Sequence, residues 1–527
     1  MQVSDSKELV IGVDLGTSGV RAIAFDQSLH MVAEANRSYP VTFDVGGVAE
    51  QSASDVADAC DDCIREVCHY PDIAGHVRAL AFCGTASSLA HFQRSPSQSG
   101  GEAGMAFEPR SPVWLWADIR SAAEARRVSE HFGRDLYART GCPVHASYWP
   151  AKLLRWRDQT YAPFANTVEA SSAHRLAGRK DYVVYRLTGE WVTDQASAAA
   201  TGLYNSQLGT WDQELIDWLG LDPEWLPSVV PMTHQLALRA DAAERLHLPV
   251  ETVVVAGGLD GVLVHLGMGC AQEGLASCTI GTSGAVRMSS PQRITDTESR
   301  TWCYPVLDGL WLAGGAGNNG GTVLNWFVDL CNGAATLAGP VESTASDRES
   351  GKVSAASVIA SAMRSEPGAN GLLFMPYLFG ERSPLWREEL RGAFFGLTST
   401  HTVSHMARAM LEGISLGVSG VYRALAEQIG EPREVRAGGG FVASPQWVQL
   451  QADVFGTPVA VTATGQETAA GAAMVSWRSL EGIPLDELQK SIRVTGRYEP
   501  SAERHELYER LYARMERLLS CHDERSS

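Results

Sequence analysis

The sequence predicts a mixed α/β protein of two domains built on an internal duplication, and three observations point there. The chain has 527 residues, too many for one hydrophobic core and enough for two domains of ordinary size. Its start reads strand, turn, strand: Leu9 to Val13 is apolar, Asp14-Leu15-Gly16-Thr17-Ser18-Gly19 is rich in turn formers, and Val20 to Phe25 resumes as a strand. About half a chain later, Thr279-Ile280-Gly281-Thr282-Ser283-Gly284 repeats the Gly-Thr-Ser-Gly core. One such turn is an ordinary hairpin tip. Two, in corresponding halves, imply a duplicated unit in which each turn offers backbone N–H groups and hydroxyls to a phosphate.

Composition narrows the class. Hydrophobic residues make up 45% of the chain and charged residues 20%, which is globular protein. A formal charge of −18 with scattered arginines argues against nucleic acid as a partner. The segment Met1 to Glu8 is polar, and Leu9 to Val13 is too short and lacks the basic flank for a secretion signal. With no apolar run near the ~20 residues that span a bilayer, a soluble, cytoplasmic protein without a membrane partner is expected. The ten cysteines form no disulfide framework. Cys60, Cys63 and Cys68 recur with Val56, Ile64 and Val67 at helical spacing in Ser54 to His69, so they belong to an apolar helix face, and no second ligand pair supports zinc.

Further along, Gly100 to Pro112 reads as a surface loop, and Ser121 to Phe132 and Tyr182 to Leu187 as helices. Thr252 to Ala256 is a β-branched strand, with Gly257-Gly258-Leu259-Asp260-Gly261 as a Gly-flanked turn after it. A domain boundary is placed here, giving an N-terminal domain of residues 1–256 and a C-terminal domain of residues 257–527. Thr322 to Leu330 and His401 to Leu425 are apolar-periodic helices, Gly333 to Ser350 a loop or insertion, and Pro484 to Leu519 largely helical. His522 to Ser527 is expected to fray.

Phosphoryl transfer needs a polyphosphate cradle, a metal, and a base for the attacking hydroxyl, and the chain offers a candidate for each. Asp14, at the end of the first strand, presents the oxygen ligand a hard cation prefers; its plain alternative is a turn Asp capping its own backbone. Asp260, between glycines, is a candidate proton acceptor with the same alternative. Gly314-Gly315-Ala316-Gly317-Asn318-Asn319-Gly320-Gly321 runs into the helix of Asn325 and Trp326, a natural place for an anion. Gly438-Gly439-Gly440-Phe441 precedes a helix with Trp447, Gln451 and Asp453; close backbone packing explains either run equally. Trp114-Leu115-Trp116-Ala117-Asp118-Ile119-Arg120 combines aromatic faces with fixed polar groups, as sugar sites do, or is a strand end packing its tryptophans in the core.

In order along the chain, Asp14-Leu15-Gly16-Thr17-Ser18, Trp116-Ala117-Asp118-Ile119-Arg120, Gly257-Gly258-Leu259-Asp260-Gly261, Ile280-Gly281-Thr282-Ser283 and Gly438-Gly439-Gly440 resemble the FGGY family of carbohydrate kinases, over most of the chain. The resemblance implies two actin/hexokinase-like (ribonuclease H-like) α/β domains with a cleft between them, ATP and Mg²⁺ as cofactors, and domain closure over the substrate. It implies Asp260 as catalytic base and, with Asp14, as a metal-linked carboxylate. Thr17, Ser18, Thr282 and Ser283 are then phosphate contacts, and Gly321, Asn325, Gly439, Gly440 and Ser444 nucleotide-binding elements. Trp116, Asp118, Arg120, Ser87 and Asp260 are placed on the substrate, and a homodimer is a family-level expectation.

Ala313 to Phe327, Phe374 to Leu397 and His405 to Gly413 look most like the gluconokinase branch, which implies conversion of D-gluconate to 6-phosphogluconate. A departure stands at Ala86-Ser87-Ser88, where relatives carry a Met-His pair near the substrate, so the sugar identity is open there. A pentulose or polyol kinase of the xylulokinase type uses the same machinery. The two differ in whether a cation such as Arg120, His145 or Lys152 awaits a carboxylate. A non-catalytic sugar sensor on the same fold is the third reading, and it has no need of both carboxylates and both turns.

Overall fold

The computed structural model describes residues 8–44, 46–96, 105–161, 163–164, 171–337, 352–463 and 465–523. The chain divides into two compact units. The first comprises Met1–Gln272, Ser289–Leu312 and Gln466–Ile492, the second Glu273–Met288, Ala313–Gly465 and Arg493–Ser527.

The first unit is organised by a sheet whose main strands are β1 (Leu9–Leu15), β2 (Gly19–Phe25), β3 (Met31–Ser38), β4 (Val77–Gly84) and β5 (Val253–Leu259), in the order β5-β4-β1-β2-β3. β1, β2 and β3 run antiparallel in sequence, while β4 and β5 are parallel to β1. β1 reads LVIGVDL, apolar without a break from Leu9 to Val13, because both of its faces are covered. On one face Ile11, Val13 and Leu15 share a core with Val56, Cys60, Cys63, Ile64 and Val67 of the helix Ala53–His69. Ser52 caps that helix by accepting the Asp55 N–H at 3.2 Å. The three cysteines are buried and unpaired, as an apolar helix face requires.

The opposite face carries the helix Glu467–Glu481, which lies far along the chain yet belongs to this unit. It packs backbone against backbone. A Cβ on Gly12 would stand 2.2 Å from the Ala469 carbonyl oxygen, and one on Gly471 2.0 Å from that of Leu263. One on Gly267 would stand 1.8 Å from the Glu467 carbonyl oxygen. Only glycine admits this approach.

The second unit repeats the plan. Strands β6 (Leu275–Ile280), β7 (Gly284–Ser290), β8 (Trp311–Ala316), β9 (Glu434–Gly438), β10 (Val459–Thr462) and β11 (Val494–Tyr498) lie in the order β11-β10-β9-β6-β7-β8. The hairpin β6–β7 is antiparallel, with β9 and β10 in parallel on its other side. The arrangement β4-β1-β2-β3 thus recurs as β9-β6-β7-β8, and the repeated Gly-Thr-Ser-Gly turns occupy equivalent places. The duplication read from four residues is a duplication of topology.

Several local expectations change. Asp260 is not in a turn: β5 continues through Gly257 and Gly258, and Asp260 opens the helix Asp260–Gly267. Pro484 to Leu519 is interrupted by β11, whose Val494 and Gly496 to Tyr498 pair antiparallel with β10, between the helices Leu485–Gln489 and Ala502–Asp523. The helix beginning at Gly321 runs to Leu337, so Gly333 to Leu337 of the predicted loop are helical; residues 338–351 lie outside the described residues. In the predicted loop Gly100 to Pro112, Met105–Pro109 is a strand paired with Ala90–Pro96, and residues 100–104 lie outside the described ones. His522 and Asp523 are still helical, and residues 524–527 lie outside. Among the described residues no helix is long and apolar enough to cross a membrane.

The glycine-mediated helix contact predicts that Gly471→Ala destabilises the protein by about 3 kcal/mol or more, since backbone cannot yield as a side chain does. A thermal melt reads this as a fall of several degrees in Tm. Gly75→Ala, where a Cβ meets nothing within 4 Å, leaves Tm nearly unchanged.

Candidate active site

Strand register sets the two candidate carboxylates. Asp14 on β1 stands beside Cys83 on β4, and Cys83 beside Gly258 on β5, so the parallel strands end abreast. At ~4.8 Å per strand, the backbones of Asp14 and β5 lie roughly 10 Å apart. The β5–β4 register slips between Val255 and Gly258. Gly257 takes φ +74°, and a Cβ there would be 2.0 Å from the Phe82 carbonyl oxygen. This bulge re-aims the chain at the strand end, so that Asp260 emerges as the first residue of its helix, its carboxylate accepting the Gly261 N–H at 2.6 Å.

Burial pushes the Asp14 carboxyl up to about 6, and the negative charge of Asp260 adds to the rise. The Cys83 thiol, Arg179 and Arg21 pull the other way. Among the described residues no three His, Cys, Asp or Glu side chains converge as a metal site. Asp14 and Asp260 present carboxylate oxygens, the donor type that a small hard cation takes.

Around the first hairpin, the Trp116 indole N–H donates to the Thr17 hydroxyl at 3.3 Å, and Ser18 is exposed at the tip. In the second unit two separate segments meet on one hairpin. The Gly321 N–H donates to the Gly281 carbonyl at 2.6 Å, and the Thr322 N–H and hydroxyl both donate to the Thr282 carbonyl, at 3.2 and 3.0 Å. Gly439, at φ +86°, passes so close that a Cβ would lie 2.8 Å from the Ile280 carbonyl oxygen. Thr282, Ser283, Gly321, Gly439 and Gly440 are thereby gathered at the start of the helix Gly321–Leu337, with Asn325 exposed one turn on. Ser444 serves as N-cap of the helix Pro445–Phe455, accepting the Trp447 N–H at 3.3 Å.

Beneath the glycine-rich loop lies a residue that no spacing singled out. Glu381 is buried and accepts the backbone N–H groups of Asn318 (2.7 Å) and Arg382 (2.9 Å), while Asn319 Nδ2 donates to it at 3.2 Å. Arg382 in turn donates to the Asn318 side chain at 2.7 Å. A Cβ on Gly317 would stand 2.8 Å from the Glu381 carboxylate, so this glycine is demanded by the loop's own support. Burial raises the Glu381 pKa, and the three N–H donors oppose the rise.

The candidate sugar-contacting segment is largely folded onto itself. Asp118 is fully buried, accepting the Ala49 N–H at 3.0 Å and the Arg120 guanidinium at 2.7 Å. Arg120 also reaches Glu50 at 2.5 Å and lies over the Trp114 ring at 3.8 Å. Ser87 takes φ +55°, donates its hydroxyl to the Ala200 carbonyl at 2.7 Å, and accepts from Lys152 Nζ at 2.8 Å. Lys152 is buried and donates also to the carbonyls of Leu115 and Trp114, at 2.8 and 3.3 Å. Burial pulls its ammonium down to about 7, against the nearby Asp118 charge. His145 Nδ1 meets the Ser147 hydroxyl at 2.7 Å. Arg120 and Lys152 are thus engaged with protein acceptors. Lys152 ties the Ser87 loop to the start of the Trp114–Arg120 segment.

The N-terminal domain model of the FGGY family of carbohydrate kinases matches residues 9–267, and its C-terminal domain model residues 276–480. A gluconokinase of Bacillus subtilis (strain 168) is 31% identical over 518 residues, spanning 97% of this chain and 96% of that protein. Among solved structures, a gluconate kinase from Lactobacillus acidophilus matches with a TM-score of 0.85 at 27% identity, covering 98% of each chain. A ligand-bound xylulose kinase from the same organism matches with a TM-score of 0.84, also at 27% identity and 98% of each chain.

The raised Asp14 pKa carries a stability cost with a definite sign. A carboxyl moved from 3.8 to about 6 in the folded state contributes stability that is full below pH ~4 and lost as pH rises through 6. Asp14→Asn is therefore expected to melt a few degrees higher than the parent protein at pH 7.5, with the gap closing toward pH 4.5. Thermal melts across that range check it; a gap independent of pH would contradict the linkage.

Proposed function

Because this chain belongs to the FGGY family of carbohydrate kinases and transfers a phosphoryl group from ATP to a sugar hydroxyl, we propose that its acceptor is D-gluconate and its product 6-phosphogluconate. The observation that carries the choice of acceptor is the likeness to the Bacillus subtilis gluconokinase along 97% of the chain. The stretches Ala313 to Phe327 and Phe374 to Leu397, which hold the glycine-rich loop and Glu381, lie within that match.

In this reading the terminal hydroxyl of the sugar acid attacks the γ-phosphorus in line, and Asp260 takes its proton as the new P–O bond forms and the bond to ADP breaks. The Gly257 bulge serves to aim Asp260, so the base is set before substrate arrives. Asp14, with Asp260, would hold Mg²⁺. That ion, when bound, neutralises charge on the phosphoryl oxygens. Thr17 and Ser18 on one hairpin and Thr282 and Ser283 on the other contact phosphates. Gly321, Asn325, Gly439, Gly440 and Ser444 form the nucleotide-binding elements, where the helix beginning at Gly321 offers its N-terminal N–H groups to the anion. Ser87, Trp116, Asp118 and Arg120 belong to the substrate side, with Asp118 shaping it from behind.

One observation favours a second reading, a pentulose or polyol acceptor of the xylulose type. A carboxylate substrate calls for a cation, and Arg120 and Lys152 already serve Glu50, Asp118 and three backbone carbonyls. A neutral acceptor makes no such demand.

ADP release from Mg-ATP with gluconate, xylulose, ribulose, glycerol and erythritol tests the proposal. Gluconate is expected to exceed every other acceptor by about tenfold or more in kcat/KM, a difference of roughly 1.4 kcal/mol. Asp260→Asn is expected to lower kcat by about 10²–10⁴ while binding of sugar and nucleotide persists. A response confined to a ketose or polyol overturns the gluconate assignment, and near-parental turnover in Asp260→Asn overturns the role of the base.

A further inference from the structure

The first hairpin is held from behind by three buried side chains that lie far apart in sequence. Arg179 opens the helix Arg179–Thr188, and its guanidinium, fully buried, donates to the Leu15 carbonyl at 2.6 Å and to the side-chain oxygen of Gln51. Gln51, 4% exposed, passes the contact on by donating its amide N–H to the Thr17 carbonyl. The Tyr39 hydroxyl meets the carbonyls of Gly16 and Gly19 at 2.6 and 3.0 Å, and its backbone N–H donates to Ser18 at 3.2 Å. The Leu15 and Thr17 carbonyls each have a buried side-chain donor, and the single Tyr39 O–H lies closer to the Gly16 carbonyl than to that of Gly19.

The consequence follows from the trans peptide unit, in which C=O and the next N–H point in opposite directions. With the Leu15, Gly16 and Thr17 carbonyls turned inward, the N–H groups of Gly16, Thr17 and Ser18 are turned outward together. Consecutive N–H groups on one side of a turn make an anion cradle. A buried guanidinium is costly unless it is hydrogen-bonded, and apolar packing would support an ordinary hairpin as well. What Arg179 adds is two directed bonds that dictate which way the turn's peptide planes face. Its charge also lies near Asp14 and Asp260.

We propose that Arg179, acting through the Leu15 carbonyl and through Gln51, is a positioning residue that presents the Gly16–Ser18 N–H groups to the polyphosphate of the nucleotide. It touches neither sugar nor nucleotide. The proposal rests on the kinase reading of the hairpin but is independent of which sugar is used.

The test uses the full-length protein, with Mg²⁺ and a non-hydrolysable ATP analogue in calorimetry, beside steady-state kinetics. Gln51→Glu keeps an acceptor for Arg179 but removes the donor to the Thr17 carbonyl. Arg179→Lys keeps the charge but cannot fork to two acceptors. Both are expected to bind the analogue about tenfold or more weakly, the effect of losing one buried hydrogen bond, and to lose kcat/KM for Mg-ATP while KM for the sugar stays within about twofold. Arg179→Met should lose more wherever it folds. Analogue affinity in folded Gln51→Glu and Arg179→Lys within threefold of the parent overturns the proposal, even if both melt at lower temperature, because that is the signature of a structural role alone. Should the parent bind the analogue yet phosphorylate none of the sugars, the acceptor assignment fails while the calorimetric comparison still decides the role of Arg179.

Discussion

The alignment of three parallel strand ends, Asp14 on β1, Cys83 on β4 and Gly258 on β5, is the constraint to which the rest of the first unit answers. A parallel sheet must be covered on both faces. One cover, the helix Ala53–His69, is conventional, with an apolar stripe over alternate β1 residues. The other, Glu467–Glu481, sits so close that glycines at 12, 267 and 471 are obligatory. That close approach holds together the sheet and the short helix that begins at Asp260. A bulge at Gly257 then converts strand register into the aim of one carboxylate. Small residues in this unit are less a sign of flexibility than of backbone standing against backbone.

Electrostatics runs against stability at the same place. Asp14 and Asp260 each disfavour the charge of the other, and burial amplifies the effect. Arg179 offsets part of it from within, while its two hydrogen bonds orient the turn that follows Asp14 in sequence. The second unit solves a similar problem with opposite charge: the buried Glu381 gathers N–H groups of Asn318 and Arg382 and shapes the glycine-rich loop. In both units a buried ion supports a loop of small residues from behind.

Much of this was readable in the chain. Turn formers at Asp14 to Gly19 and Gly281 to Gly284, the apolar stripe of Ala53–His69 and the glycine runs before two helices are local signals, set by φ/ψ preferences and by neighbours within a turn or two. They located the hairpins, several of the helices and the ordered motifs on which the family resemblance rests. Local reading failed where pairing partners lay elsewhere: Val494–Tyr498 became a strand because β10 offered it an edge, and the strand before Asp260 extended because Cys83 and Gly84 on β4 pair with Gly258 and Leu259.

The sequence by itself determined which residue types stand at the turns, where the two hairpins lie, and that the chain carries the ordered motifs of a sugar kinase. Tertiary structure alone decided that Asp118 and Arg120 satisfy each other, that Lys152 is spent on three carbonyls, and that Tyr39, Gln51 and Arg179 converge behind one hairpin. The physical reason is that a turn is specified by its own few dihedral angles. Which charges meet, and what burial does to them, depends on strand register and packing between segments hundreds of residues apart, and no local stretch of sequence contains that information.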